Sequence, residues 1–447
     1  MAEGNSRMGL IVLPVGMALL ALLTVWVVVF SREAGRTATE DVDGGLVAGT
    51  AATTTGDEPP AELAQVWHAP AIAAGIGAQD ATATRLWAND ETVTVVSTAG
   101  VSGYGAVDGE PLWDAPLPEG ATRPCAAAER VNAAGTGAVL YAAADPVGAD
   151  PPGSCSVLGA IDTESGELLW SADLLTPDGR AVEAGGVTVT VGNDTVTVNL
   201  DTAGSPTGFH RFEAETGTEL AAPEPPGGLA WDCATGRQTL AIRHADSRVV
   251  ALTRCGGEPE LSVYHADTGG LEWTHPGSDP DLGFTDIVAG DPVLLHQDDD
   301  LVGYSENGDE LWRLPMADLV PAESAVVGEV LVARRAPAEE AADAAVFTGY
   351  DLTDGSPLWE AELPEDVRLF DADDNGRLLL GHPTADSLEL LRLSPADGTD
   401  TPAGAVPLDT RRTNDEPYMV HDEHQLYVMA TIETPTAQGL RLRAFER

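Results

Sequence analysis

The stretch GYDLTDGSPLW (residues 349–359) and its relatives AIDTESGELLW (160–170) and GYSENGDELW (303–312) decide the fold of this chain. In each, a glycine is followed four residues later by a tryptophan. A supersecondary unit that recurs at a nearly fixed period predicts a repeat architecture. The spacing occurs seven times, with Ala221 and Pro402 standing in for tryptophan in the third and seventh copies, at Gly109, Gly166, Gly217, Gly269, Gly308, Gly355 and Gly398.

Short runs rich in β-branched residues lie between these motifs, for example TVTVVST (92–98) and TVTVNLD (195–201). Turn residues bound them, and from residue 65 onward no helical period is sustained, which predicts an all-β domain. A glycine at a positive φ angle would close each turn, and a flat tryptophan ring after it suits packing between neighbouring sheets. We therefore predict a structural repeat role for six tryptophans, namely Trp67, Trp113, Trp170, Trp273, Trp312 and Trp359.

The two ends of the domain look like the halves of one further repeat. AQVWHAP (64–70) resembles the strand after the turn, and GLRLRAFER (439–447) resembles the strand before it. Pairing of the first and last strands would close a ring. Seven motifs and this shared unit predict an eight-bladed β-propeller of four-stranded blades with about 48 residues each; seven blades is the alternative.

These motifs resemble the repeats of the pyrroloquinoline quinone (PQQ)-like, or quinoprotein alcohol dehydrogenase-like, β-propeller family. In that family a tryptophan-docking motif stabilises eight-bladed rings, and the resemblance covers nearly all of residues 65–447. Its PQQ-dependent dehydrogenases typically carry two adjacent cysteines at the cofactor and a bound Ca²⁺. No two cysteines are adjacent here, so we expect a non-catalytic member with no cofactor.

The charge of the chain excludes one class of partner. Its formal net charge is −49, from 72 acidic and 23 basic residues. Such a surface repels the phosphates of nucleic acids. We therefore expect no nucleic-acid binding.

Residues 9–30 (GLIVLPVGMALLALLTVWVVVF) are uncharged and almost wholly apolar. At about 1.5 Å per residue such a helix crosses the roughly 30 Å core of a bilayer. We predict a short cytoplasmic N-terminus (1–8), a single transmembrane anchor (9–30), a flexible linker (31–64) and the propeller (65–447). A cleaved signal peptide is the alternative.

Four cysteines fall in two repeats, Cys125 with Cys155 and Cys233 with Cys255. The pairs have roughly similar offsets from the motif, which favours disulfides Cys125–Cys155 and Cys233–Cys255 among three possible connectivities. Such bonds need an oxidising compartment, so we expect the propeller on the extracytoplasmic side of the membrane. A zinc site is a weaker alternative, because no CxxC spacing exists.

Two segments have the residue types of cation sites. Asp371, Asp373 and Asn375 match the start of a calcium loop, but His382 stands where the bidentate glutamate would be. The same segment reads as a hairpin turn, which we favour. His421 and His424 lie in another predicted turn and read as solvated side chains.

We therefore expect a membrane-tethered, extracytoplasmic propeller that binds or scaffolds an envelope protein and is not an enzyme. The first alternative is a propeller that senses a ligand or an ion. A PQQ-dependent dehydrogenase is the less favoured second alternative.

Overall fold

A computed structural model describes residues 60–69, 72–73, 83–144, 155–174, 188–199, 209–221, 237–245, 247–255, 258–276, 284–297, 300–315, 319–335, 344–372, 376–384, 386–408, 417–433 and 438–447. No helix within these ranges is long and apolar enough to cross a membrane. The predicted N-terminus (1–8), anchor (9–30) and most of the linker (31–64) lie outside the described residues.

The described chain forms strands that we group into blades in chain order. Blade 1 contains β3 (Arg85–Ala88), β4 (Thr92–Ser97), β5 (Gly100–Gly105) and β6 (Pro111–Asp114). Blade 2 contains β7 (Ala121–Ala127), β8 (Thr136–Ala143), β9 (Cys155–Asp162) and β10 (Leu168–Asp173). Blade 3 contains β11 (Val189–Val191), β12 (Thr195–Asn199) and β13 (Phe209–Glu213). Blade 4 contains β14 (Arg237–Ala245), β15 (Arg248–Cys255), β16 (Glu258–His265) and β17 (Leu271–Pro276).

The second half of the ring follows the same plan. Blade 5 contains β18 (Phe284–Gly290), β19 (Val293–Gln297), β20 (Asp300–Tyr304) and β21 (Glu310–Pro315). Blade 6 contains β22 (Leu319–Val327), β23 (Val330–Arg335), β24 (Ala344–Asp351) and β25 (Pro357–Pro364). Blade 7 contains β26 (Arg368–Ala372), β27 (Leu378–Pro383), β28 (Ser387–Leu393) and β29 (Asp400–Pro407). Blade 8 contains β30 (Tyr418–His421), β31 (Gln425–Glu433), β32 (Gln438–Glu446), β1 (Gln65–His68) and the short β2 (Ile72–Ala73).

Eight antiparallel sheets therefore make up the domain, and in seven of them four strands follow one another across the sheet. Contacts between successive blades run around the whole ring and return from β30 to β3. The predicted all-β, eight-bladed propeller is confirmed, and the seven-bladed alternative is wrong. Blade 3 departs from the plan, because its described part has three strands and only an isolated bridge from Phe212 to Glu219 where the fourth would be.

The ring closes as the two chain ends predicted. β1 supplies the outer strand of blade 8 and pairs with β32, with Gln65 opposite Phe445 and Trp67 opposite Ala444. One sheet thus contains strands from both ends of the domain. Opening the ring at this point requires breaking strand pairing as well as side-chain packing.

A second contact reinforces this junction. Residues 61–63 run beside β29 of blade 7, where Leu63 N donates to Ala405 O at 2.8 Å and Ala405 N donates to Ala61 O at 3.0 Å. We call this segment the N-terminal clasp. Residues 61–63, which fall in the predicted linker, are therefore paired with the propeller. The clasp pairs through its backbone, so its composition carried no sign of it.

The core lies between the blades. One cluster combines Leu140 and Leu158 of blade 2 with Val196 and Phe212 of blade 3. Central strands such as β4 are buried along their whole length because both faces of a blade pack against neighbours. Each blade is therefore stabilised mainly by the two blades beside it.

A disulfide joins Cys125 of β7 to Cys155 of β9, with the two Cα atoms 6.1 Å apart. This supports the first predicted pairing. Cys233 lies outside the described residues, so the pairing Cys233–Cys255 stays a prediction. The two pairs are not placed equivalently, since Cys155 begins the third strand of its blade and Cys255 ends the second strand of its own.

Candidate functional site

The six tryptophans lie at blade junctions, each ring resting on the motif glycine of the following blade. A Cβ atom at Gly308 would lie 2.8 Å from Cδ2 of Trp273, and one at Gly355 would lie 2.9 Å from Cγ of Trp312. These glycines also have φ angles of 83° and 69°, which disfavour other residues. Glycine is therefore required twice over, for the turn and for the approach of the ring.

Hydrogen bonds fix the rings in place. The indole Nε1–H of Trp170 donates to Ala214 O at 2.8 Å, and that of Trp312 donates to Leu352 O at 2.7 Å. In both cases the acceptor lies three residues before the motif glycine. Burial of the ring and satisfaction of its polar group thus occur in one contact. Trp67 and Trp359 donate to the same position, Ala106 O and Pro395 O, whereas Trp113 donates to Glu164 O, two residues before its glycine.

The outer strands share a β-bulge one residue before the tryptophan. The strand register shifts between Leu168 and Trp170, and again between Pro357 and Trp359. A bulge re-aims side chains relative to the regular pleat. The bulged residue is an exposed aliphatic in five blades, namely Val66, Leu112, Leu169, Leu311 and Leu358.

The junction between blades 3 and 4, where Ala221 replaces tryptophan, is filled by Arg211 instead. The Arg211 guanidinium lies against Gly269, donates to Ala266 O, and donates through Nη2 to Ala221 O at 3.0 Å. Ala266 stands three residues before Gly269, so Arg211 uses the same acceptor position as the tryptophans. The space left by the missing tryptophan at Ala221 is thus filled by a different side chain.

Arg211 reaches this place from the neighbouring strand. It occupies the third-strand position that faces the tryptophan in other blades, where Gly103 faces Trp113 and Gly349 faces Trp359. The large and the small residue have exchanged strands. Our sequence interpretation missed this exchange, although an arginine at a position held by glycine or alanine in five other blades was visible.

The electrostatics of this junction are unusual for a β-core. Arg211 is 1% exposed, and burial lowers the pKa of its guanidinium, an effect that the nearby Asp267 opposes. His244 of blade 4 contacts Thr197 Oγ1 through Nε2 at 2.8 Å. Burial and, second, the charge of Arg211 lower the pKa of His244 to about 3. The imidazole is therefore neutral near pH 7.

The central channel contains two adjoining cavities. One of about 760 Å³ is lined by β3, β26, β30 and the end of β22. Another of about 400 Å³ is lined by β7, β11 and β14, with Ile287 of β18. Both reach Arg85, Glu129 and Arg130. Together the two cavities are lined by residues from the first, innermost strand of each blade.

The lining of the channel reverses the charge balance of the chain. The described wall of the smaller cavity contains Arg85, Arg130 and Arg243 against one acid, Glu129, whereas acids outnumber bases 72 to 23 overall. Arg243 donates to Ile287 O at 3.2 Å. The inner wall is thus locally suited to anions.

The calcium-loop candidate lies at the connection between β26 and β27. Asp371 lies in β26 and Gly376, at φ 69°, precedes β27, so the segment connects two paired strands as a hairpin. Asp373 and Asn375 lie outside the described residues. Within the described ranges, no group of three or more His, Cys, Asp or Glu side chains could hold a metal ion.

The two histidines of the other candidate turn have separate environments. His421 Nδ1 lies 3.0 Å from Arg447 Nη1, while His424 N donates to Asp422 Oδ1 at 2.7 Å. Asp422 Oδ1 also accepts from Gln425 N at 2.7 Å, which closes the turn. These contacts are those of a capped hairpin.

The described channel wall does not fit a quinone site of the dehydrogenase type. It offers one carboxylate, Glu129, and no cysteine. A Ca²⁺ beside the cofactor would need several oxygen ligands. We derive no catalytic step from these residues.

The family model described as "Outer membrane protein assembly factor BamB", a PQQ-like repeat, matches residues 154–319 and 217–386. Together these ranges span 233 of 447 residues, from 154 to 386. The chain belongs to this PQQ-like propeller family. Members of the family share the repeat whose tryptophans and glycines are described above.

The chain is also similar to solved structures, of which the first described here supports the fold. A europium-containing methanol dehydrogenase aligns over 86% of this chain and 93% of its own, with a TM-score of 0.52 and 11% identity. A eukaryotic initiation factor aligns over 83% and 87%, with a TM-score of 0.49 and 10% identity. Among curated protein sequences, none matches the chain significantly. At such identities the likeness shows the fold alone.

Proposed function

We propose that the chain is a membrane-tethered, extracytoplasmic protein-binding or scaffolding module of the cell envelope, and that it is not an enzyme. The observation that carries this proposal is membership of the family whose model is described as an outer membrane protein assembly factor. Assembly factors act by holding other proteins. The PQQ-like repeats of this chain would then present binding surfaces to partner proteins.

The architecture suits that role. A closed ring whose junctions are fixed by buried rings and hydrogen bonds keeps its loops and blade edges in constant relative positions. Such preorganisation lowers the entropy that binding must overcome. The Cys125–Cys155 disulfide supports an oxidising compartment, and the apolar run at 9–30 supports a membrane tether.

The test is crosslinking of the full chain in its native cells, followed by mass spectrometry. A matched variant with residues 9–30 deleted serves as the control for tethering. We expect defined envelope proteins to crosslink to the full chain and to be reduced for the deletion variant. Recovery of no specific partner, together with a cofactor bound to the purified chain, would overturn the proposal.

A second candidate, a propeller that senses a small anion, is favoured by the three arginines of the channel wall. It predicts that citrate or inorganic phosphate raises the unfolding temperature of the full chain. Arg130→Ala should reduce that shift, whereas Arg254→Ala, an exposed arginine outside the described channel wall, should not. Equal shifts in the two variants would dismiss this candidate.

A further inference from the structure

Four of the seven large apolar side chains that are exposed in the described chain lie in one sector of the ring. Val66, Val107, Leu112 and Leu117 are 48%, 73%, 53% and 44% exposed. Val66 belongs to the outer strand of blade 8, and the others belong to blade 1 or the residues just after it. The remaining large exposed apolar side chains stand singly in blades 2, 5 and 6, each at the bulge before a tryptophan.

Val107 is an exception within the repeat. It lies two residues before the motif glycine Gly109, in an exposed turn. The equivalent turns place a polar, acidic or small residue there, and never a larger aliphatic one. These equivalents are Glu164, Glu215, Asp267, Glu306, Thr353 and Ala396, and all of them are exposed. The other blades form this turn without a valine, so the side chain of Val107 is not needed to make the turn.

Leu117 is a second exception. It lies four residues after its tryptophan, where Leu174 of blade 2 and Leu363 of blade 6 are 2% and 3% exposed. Those leucines are buried because their outer strands extend to Asp173 and Pro364. The outer strand of blade 1 ends earlier, at Asp114, so Leu117 is left in solvent.

The four residues occupy successive places in the fold, from the outer strand of blade 8 through the turn between β5 and β6 to the residues just after β6. The ring of Trp67 crosses from blade 8 onto Gly109 and donates to Ala106 O at 2.8 Å, which places Val66 and Val107 on either side of one contact. Leu112 lies in β6 and Leu117 follows its end, so the line continues along the outer strand. We call Val66, Val107, Leu112 and Leu117 the blade 1 edge patch.

In the blade 1 part of the patch the exposed charged residues are acids. Asp108, Glu110, Asp114 and Glu119 are exposed, and the sequence from Asp90 to Thr122 contains no basic residue. Anionic lipid headgroups and a second copy of this chain would both meet like charge here. Charge complementarity therefore points to a cationic partner with apolar side chains.

We propose that the blade 1 edge patch binds a segment of a partner protein in which aliphatic side chains are flanked by Arg or Lys. The inference rests on the proposed scaffolding function and names the chemistry of its partner. Aliphatic contacts at Val107, Leu112 and Leu117 would be removed from water, and the surrounding carboxylates would hold the flanking cations. Central apolar anchors within a charged rim are the usual composition of a protein interface.

The probe is a synthetic fluorescent peptide in which Leu and Lys alternate, titrated against the full chain in zwitterionic-lipid nanodiscs at physiological salt. Empty nanodiscs and a peptide of alternating Leu and Glu provide the backgrounds. Binding is followed by fluorescence anisotropy. We expect the Leu–Lys peptide to bind the chain and the Leu–Glu peptide not to bind.

The variant Val107→Glu distinguishes binding at the patch from nonspecific electrostatic attraction of the peptide to an acidic protein. It installs the residue found at Glu164, Glu215 and Glu306, so the turn should fold, and it adds one negative charge. Ala396→Glu adds the same charge at the equivalent turn of blade 7. We expect Val107→Glu to weaken peptide binding at least tenfold, while Ala396→Glu leaves it unchanged within about twofold. Unfolding curves of both variants check that the ring is intact.

Other outcomes overturn the proposal. If both variants bind the peptide as tightly as the wild type or more tightly, charge alone attracts it and the patch is not the site. If sedimentation shows that the wild type self-associates and Val107→Glu does not, the occupant is a second copy. If a partner crosslinked in cells is retained by Val107→Glu, the scaffold stands and its interface lies elsewhere. If the patch binds the peptide but cells yield no partner, the scaffolding function fails.

Discussion

Blade 3 is packed differently on its two faces. Toward blade 2, Trp170 rests on Gly217, its ring stacks on Phe212 at 5.8 Å, and an aliphatic cluster that includes Cys155 surrounds them. Toward blade 4, Arg211 rests on Gly269 and His244 contacts Thr197. The same geometric position is thus filled by an apolar ring on one face and by a buried cation on the other. The motif glycine requires a flat side chain with a donor, and both tryptophan and arginine meet this requirement.

The largest difference between the two faces should come from Trp170→Ala. Loss of a buried indole leaves a cavity and unpairs Ala214 O, which should lower the free energy of unfolding by about 4 kcal/mol. Denaturant titration followed by tryptophan fluorescence and circular dichroism measures this. Leu169→Ala, at the exposed neighbouring residue, is the control and should change stability by less than about 0.5 kcal/mol. Equal effects of the two variants would show that the docking contact does not stabilise the ring.

Removing the disulfide, which lies in blade 2, should have the next largest effect on the free energy of unfolding. Cys125→Ser with Cys155→Ser frees a loop of about 30 residues in the unfolded chain, which should lower stability by about 3 kcal/mol. The wild type with and without reductant provides an independent comparison. A reduced wild type as stable as the oxidised protein would contradict this prediction.

The exchange at the blade 4 face can be reversed. Arg211→Gly alone should lower stability by about 2 kcal/mol through lost packing and hydrogen bonds. Ala221→Trp alone should also destabilise, because Arg211 already fills the space.

The double variant Arg211→Gly with Ala221→Trp should regain most of the wild-type stability, because it recreates the pattern of Gly349 and Trp359. The pair should then be strongly non-additive in a double-mutant cycle. Simple addition of the two single effects would show that Arg211 is not a substitute for the ring.

The smallest expected effect is a dependence of the free energy of unfolding on pH. It should arise from His244, at the blade 4 face. The pKa of His244 is about 3 in the folded chain and near 6.5 when unfolded. Between these values the unfolded chain binds a proton that the folded chain does not, so stability falls as the pH falls. The loss should reach about 1.4 kcal/mol by pH 5.5, before most carboxylates titrate.

Unfolding titrations at pH 7 and pH 5.5 measure this loss. His244→Gln should flatten the dependence over that interval. A slope that persists unchanged in His244→Gln would show that other groups cause it.

Much of the fold was predictable because its determinants are local and repeated. Gly355 with Trp359 carries a turn, a strand and a junction within five residues, and Trp67 with the last strand revealed the closure of the ring. The compensation at Arg211 was harder to predict, because it depends on a residue of another strand becoming large where its partner became small. Only a comparison of cross-strand pairs, rather than of motifs, would have found it.

The candidate site was less predictable for a similar reason. The arginines of the channel wall, Arg85, Arg130 and Arg243, lie in three different blades and share no motif. Val107 lies next to the motif of Gly109 and Trp113, yet its exposure depended on the position of β6 and of the ring of Trp67. Surface patches and cavities arise from distant residues, and a single sequence does not show which residues will be neighbours.

The N-terminal clasp has a mechanical consequence. A pull on the chain ahead of residue 60 reaches blade 7 through residues 61–63 before it reaches β1 in blade 8. Along the strand axis such a load acts on the hydrogen bonds to Ala405 in shear, so they share the force instead of rupturing one at a time. The force is then divided between the sheets of blades 7 and 8, at the junction that closes the ring.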